Sequence, residues 1–204
     1  MNRTYVPENL NVDDTHEVSK LYRHLLQREI PVDSAKLRQW ILDWSELESV
    51  LGEVSCRRYV AMTCNTADEK AAKAYTDFVE NIQPIMNEYD DKLNKKLVAH
   101  PAKDALQGEF GEWFKGVQVS LDLFSPDNIA LETEENKEIQ AYQKITGGMS
   151  VEFDGETKTM QQMAAYMERT DRELRERAWR TMLSFCFFML KCMKLLSRIM
   201  LFIT

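Results

Sequence analysis

The sequence predicts an all-α fold carrying one small β-hairpin near residues 149–160. Three observations predict it. Gly and Pro are scarce, at 7 and 5 in 204 residues, while Glu, Lys, Leu and Met are common, a composition that favours helices. Apolar residues recur three and four apart along most of the chain, the spacing of one helix face. A single stretch, "MSVEFDGETKTM", alternates instead.

The elements follow in order. Asp13, Asp14 and Thr15 offer caps to a first helix, whose face reads Val18, Leu21, Tyr22, Leu25, Leu26 and Ile30. Pro31 ends it. A second helix opens at Asp33 or Ser34 with Leu37, Trp40, Ile41, Trp44, Leu47 and Leu51 on one stripe, and Gly52 marks its expected end. The short Pro31-Val32-Asp33 connection predicts an antiparallel pair.

The longest helical signal runs from Ala67 to about Val98, through Ala71, Tyr75, Phe78, Ile82, Ile85, Tyr89, Leu93 and Leu97. Pro84 lacks a backbone donor and crowds the preceding turn, so a kink or break is expected near Ile82. Phe110, Trp113, Phe114, Val117, Leu121 and Phe124 give another face. After Ser125-Pro126-Asp127, Glu134 and Glu135 suit a helix N-terminus. That helix carries Ile139, Tyr142 and Ile145 and ends at Gly147-Gly148, a glycine C-cap signal.

In the alternating stretch, Met149, Val151 and Phe153 form one strand, Asp154-Gly155 the turn, and Thr157 and Thr159 the return strand. Met160, Met163, Ala164 and Met167 begin a short helix. Thr170 and Glu173 have the spacing of a capping box. Glu173 with Arg177, and Glu176 with Arg180, are four apart and support the last helix.

A net charge of −7 argues against a nucleic-acid surface, which needs clustered Lys and Arg. The opening "MNRTYVPENL" lacks the apolar core of a signal peptide. Cys56, Cys64, Cys186 and Cys192 make no CxxC pair. They read as reduced, mostly packed thiols of a cytoplasmic protein.

Motifs for chemistry are missing. A zincin helix needs HExxH, two imidazoles on one face with a Glu beside their water. Only His16, His24 and His100 are available. His16-Glu17-Val18-Ser19-Lys20 fails because Lys20 stands where the second imidazole belongs, and these histidines read as solvated helix-surface residues. There is no GxxxxGK phosphate loop, no GxGxxG and no GxSxG. The acid pairs Asp13-Asp14, Asp90-Asp91 and Glu134-Glu135 read as solvated, since adjacent helical residues do not face each other. The aromatic stripes read as core. No catalytic, cofactor-binding or metal-binding residue is therefore assigned within the chain.

Several stretches taken together resemble one family. They are "YVPENLNVDD", "LLQREI", "LRQWILDWSELESVLGE", "RRYVAMTCNTADEKAAKAYTDFVENIQPIM", "DKLNKKL", "IALETEENKEIQAYQKITGGMSVEFDGETKTMQQMA" and "DRELRERAWR". In this order, from about Tyr5 to Arg180, they look like the N-terminal part of oligoendopeptidase F. That enzyme sits in the zinc metallopeptidase family that includes thimet oligopeptidase. The resemblance implies a mostly helical wall of a deep channel that admits short peptides, with the small hairpin as a family feature. It places zinc and HExxH far downstream of the matching region. It carries no catalytic residue onto these 204 positions, so the chain is expected to be inactive alone. Partners implied are short peptides in the intact parent, a separate catalytic half, or a second copy held through exposed helix faces. The isolated chain is accordingly expected to be poorly soluble, oligomeric or partly molten.

The domain reading is therefore 1–181 as the helical region and 182–204 as an atypical tail. No Asp or Glu occurs in the tail, while it holds four of nine Phe and four of eleven Met. A spanning helix needs about 20 apolar residues, and Met182–Leu190 gives nine before Lys191. A basic amphipathic helix lying on a membrane surface or docking to a partner is a second reading, and no other membrane contact is expected. A shifted reading frame or truncated gene is the third and favoured one. The alternative function is a non-catalytic helical interaction module that uses this tail.

Overall fold

The computed structural model describes residues 3–192, with side chains described for residues 3–185. The chain forms eight α-helices, one 3-10 helix and one hairpin among these residues. It divides between Lys137 and Glu138 into two compact units.

In the first unit, α1 (Thr15–Gln27) starts at Asp14, whose side chain accepts from the N–H groups of His16 and Glu17. Asp33 and Asp68 cap α2 (Ser34–Cys64) and α3 (Glu69–Asn81) in the same way, satisfying donors that a helix start leaves free. The predicted stripe of α2 is the core: Leu37, Trp40, Ile41, Trp44, Leu47 and Leu51 are all at most 3% exposed. Tyr22 and Leu25 of α1, Phe78 of α3, and Leu93 and Leu97 of α4 (Gln83–Val98) close over it.

Gly52 does not end α2, which continues to Cys64. An interior glycine costs about 1 kcal/mol against alanine, and packing beyond it outweighs that. Met62 is buried, Tyr59 meets Tyr75 edge-on, and Arg58 donates to the carbonyl of Ala74 and to Asp13. The expected break falls at Ile82, between α3 and α4, and Pro84 occupies the first turn of α4, where no N–H is required. A 3-10 helix, Pro101–Leu106, leads into α5 (Gln107–Leu123). Arg38 grips Glu109 with two nitrogens at 2.7–2.9 Å, tying α5 to α2.

α6 (Asn128–Gly147) begins one helical turn or more before Glu134, because Asn128 N–H already bonds the Ser125 carbonyl at the preceding turn. It ends at Gly147 as expected, but glycine's left-handed conformation is used at Gly155 instead, the one glycine with positive φ among the described residues.

In the second unit, β1 (Ser150–Phe153) pairs antiparallel with β2 (Glu156–Thr159), Phe153 opposite Glu156. Asp154 (φ 53°) and Gly155 (φ 82°) make the two-residue turn that matches strand twist. Val151 and Phe153 pack with Met163 of α7 (Met160–Met167) and Ala178 of α8 (Arg172–Cys192). The capping box belongs to Thr159 and Gln162 at α7. At α8, the Asp171 side chain accepts from the N–H groups of Glu173 and Leu174, displacing the expected Thr170–Glu173 box. Arg180 pairs with Glu176 as predicted, whereas Arg177 turns to Asp154 on the hairpin. α8 runs through position 182 without a break, and Met182 and Phe185 pack partly against this core. The readings of the tail from 193 onward, and of its side chains from Cys186, lie outside the described residues.

Candidate functional site

A cleft of about 490 Å³ opens in the first unit between α2, α4 and α5. α2 contributes Ile41, Trp44, Ser45 and Glu48, which share one face because they stand three, four and seven apart. α4 adds Asp90 and Asn94, one turn from each other. α5 supplies the apolar wall of Phe110, Trp113 and Val117, and Gly116 leaves the space of a side chain empty: a Cβ there would meet nothing within 4 Å.

The cleft holds two carboxyl groups in an apolar setting. Burial pushes Glu48 up to about 7, and the Asp90 charge adds to this against the lowering effect of its donors. Burial likewise raises Asp90 to about 6. The Tyr22 hydroxyl, fully buried on α1, donates to Glu48. Its own proton is held far above the usual phenol range by burial and by that carboxylate. Trp44 is 3% exposed. Its indole N–H lies near enough to both acids to lower their pKa, yet it forms a well-aligned hydrogen bond with neither. The Trp44 and Trp113 rings meet edge to face at 5.5 Å.

Of the candidates weighed in the sequence, Asp90 differs most. Asp91 beside it pairs with Lys95 but is itself only 10% exposed, and its Oδ1 is buried without a partner, while Asp90 lines the cleft, so neither member of this acid pair is solvated. Asp13-Asp14 and Glu134-Glu135 remain exposed. His16 and His24 are surface residues, and His24 stacks on Tyr5. His100 is structural: its Nδ1 accepts from the N–H of Ala102 and its Nε2 faces the Ile30 carbonyl at 3.2 Å. Cys56 and Cys64 are exposed free thiols, not packed ones, because they fall on the outer face of the extended α2. Cys186 and Cys192 lie outside the described side chains. Among the described residues no three His, Cys, Asp or Glu side chains come together as metal ligands would.

A family model described as peptidase M3 N-terminal domain matches residues 8–124, a segment that contains the whole cleft. Among solved structures, PZ peptidase A with inhibitor 2 is similar with a TM-score of 0.74 and 22% identity. The similarity covers 89% of this chain and 32% of that one, so the chain spans about a third of the length of the protein it matches. No curated protein matches the chain.

Proposed function

The chain belongs to the family of peptidase M3 N-terminal domains, and on that premise we propose that it is the peptide-channel wall of an oligoendopeptidase F-like zinc peptidase. The reading assigns it a cytoplasmic location and no cleavage of its own. Short peptides are the substrates of the whole enzyme in this reading. Zinc, when bound there, supplies Lewis-acid chemistry and an activated water. Residues outside these 204 positions hold that metal. What carries the reading is the family match over residues 8–124, a segment without HExxH.

One further observation supports a protein partner, either a catalytic half or a second copy. No residue of α6 is buried, and within the second unit Ile139, Tyr142 and Ile145 line up on one of its faces at 39–46% exposed. An apolar stripe of this kind marks an interface or an aggregation liability. The same stripe would serve the alternative reading, a non-catalytic interaction module.

The test is direct. The purified chain, supplied with zinc and a quenched short peptide, should show no cleavage and retain no stoichiometric zinc after dialysis. Zinc-dependent cleavage that a chelator stops would overturn the proposal. In size-exclusion chromatography at micromolar concentration the chain should run larger than a monomer, and Ile139→Glu with Ile145→Glu should shift it toward one.

A further inference from the structure

The cleft of the first unit carries features that a channel wall alone does not need. Buried indole N–H groups normally find a well-aligned acceptor, and Trp44 Nε1, though close to both acids, is aligned with neither. Two carboxyl groups share an apolar cleft with no Lys or Arg among its lining residues. Glu48 has the Tyr22 hydroxyl as a donor but no cation beside it, and buried acids in such a place remain expensive to charge until a cation meets them. The wall opposite them is aromatic, Phe110 and Trp113, with Trp113 38% exposed. Ring faces attract cations as well.

We infer that this cleft binds the amino terminus of a short peptide, the ammonium lying between Glu48 and Asp90 and the first carbonyl accepting from Trp44 Nε1. The two acids then gain a counter-charge, and the indole N–H gains an aligned acceptor. The ammonium brings three donors to two acceptor groups, and the adjacent carbonyl supplies the aligned acceptor that the indole lacks. Two carboxylates without a third ligand suit an organic cation better than a divalent metal, which wants more oxygens. The inference rests on the peptide-handling reading above for the kind of ligand, and it adds the end of the peptide that is held and the side chains that hold it.

Proton linkage follows. The titratable groups lining the cleft are Glu48 from α2 and Asp90 from α4, with the buried Tyr22 of α1 bonded to Glu48 behind them; the α5 wall has none. Glu48 is partly protonated near neutrality, so an arriving ammonium displaces a proton. Affinity should climb from pH 5 to pH 7.5, and fall again as a peptide amine loses its own charge near pH 8.

The experiment uses the full chain and two probes, trialanine amide and its N-acetyl form. Binding is followed by tryptophan fluorescence and by the indole N–H resonance of Trp44 in NMR spectra. The free amine should titrate saturably and move the Trp44 resonance downfield as its N–H gains an aligned acceptor. Acetylation should weaken binding at least tenfold, as should Glu48→Gln with Asp90→Asn. Gly116→Leu, whose Cβ enters open space, should abolish binding while leaving the circular dichroism spectrum unchanged. Equal binding of the acetylated probe would overturn the inference, as would no saturable binding of either probe. Equal binding of N-acetyl-lysine amide would overturn its carbonyl half. A saturable response to millimolar calcium where neither peptide has any effect would reassign the acids to a metal and overturn it too. None of these outcomes bears on the cleavage and zinc measurements above, so the two readings fail separately.

Discussion

The backbone N–H of Val6 donates to Glu46 Oε1 at 2.8 Å, across forty residues of sequence. Thr4 and Tyr5 N–H join it on the same carboxylate at 3.0 Å. One side chain of α2 thus caps the entering N-terminal segment and seats Val6 in the core, where it is 3% exposed. Burial alone would raise the Glu46 pKa, but these donors outweigh it and the pKa is lowered. Glu46→Ala should cost about 2 kcal/mol in urea denaturation, because it leaves several donors without partners. The folded pKa lies below the unfolded one, so the contribution is present above pH ~4.5 and disappears as pH falls through the folded value. The gap between wild type and Glu46→Ala should therefore close at low pH; a gap that is constant from pH 7 to pH 3 would refute the account.

Glu48 gives the opposite sign. Its folded pKa of about 7 stands above the ordinary 4.5, so the folded chain holds more protons than the unfolded one between these values. Stability must fall as pH rises through that window. Glu48→Gln keeps an acceptor for Tyr22 and removes the charge. It should be nearly neutral at pH 4 and stabilise the chain at pH 8 by at most about 3 kcal/mol. Thermal melts at both pH values read this directly. A variant destabilised at pH 8 would show that the charged form is favourably held.

Much of the fold is legible because its signals are local. Pro84 breaks the long helical signal at Ile82 by sterics alone, and Asp154-Gly155 tolerates the positive φ of a tight turn. Gly52 misleads because its propensity cost is small beside the packing of the residues after it. The cleft escapes notice for a different reason. Glu48 and Asp90 lie on separate helices, and the Asp90-Asp91 doublet looks solvated. A signal was present nonetheless: Asp90, Leu93 and Leu97 share the three-four spacing, so Asp90 stands on the buried stripe of α4 and Asp91 beside it. The poorly aligned Trp44 N–H has no trace in sequence, since a tryptophan on a core stripe reads only as apolar surface.

The hairpin depends on its turn. Gly155 has φ +82° and open space where a Cβ would project, so Gly155→Ala meets a backbone cost of about 1 kcal/mol rather than a clash. Gly155→Asn, better suited to positive φ, should recover part of it. Arg177 reaches the turn from α8, pairing with Asp154 at 2.7 Å and lying 5.5 Å from the Phe153 ring centre. Amide exchange should accelerate in β1 and β2 for Gly155→Ala, and rates unchanged from wild type would mean that the turn does not limit hairpin opening.

Lys96 closes the other end of α1. Its ammonium donates to the carbonyls of Leu26 at 2.7 Å and Arg28 at 2.5 Å, with Leu25 at 3.2 Å. These are the acceptors that a helix C-terminus leaves over, and a cation there also opposes the helix dipole. Burial, with the nearby Arg28 charge, lowers the Lys96 pKa, so the placement has a desolvation cost that the three carbonyls must offset. Lys96→Met keeps the stem that packs beside Trp40 and removes only the donors. It should cost about 1–2 kcal/mol in chemical denaturation and speed amide exchange in the last turn of α1 before any other helix. Loss of stability without that local exchange would place the effect in packing and not in the cap.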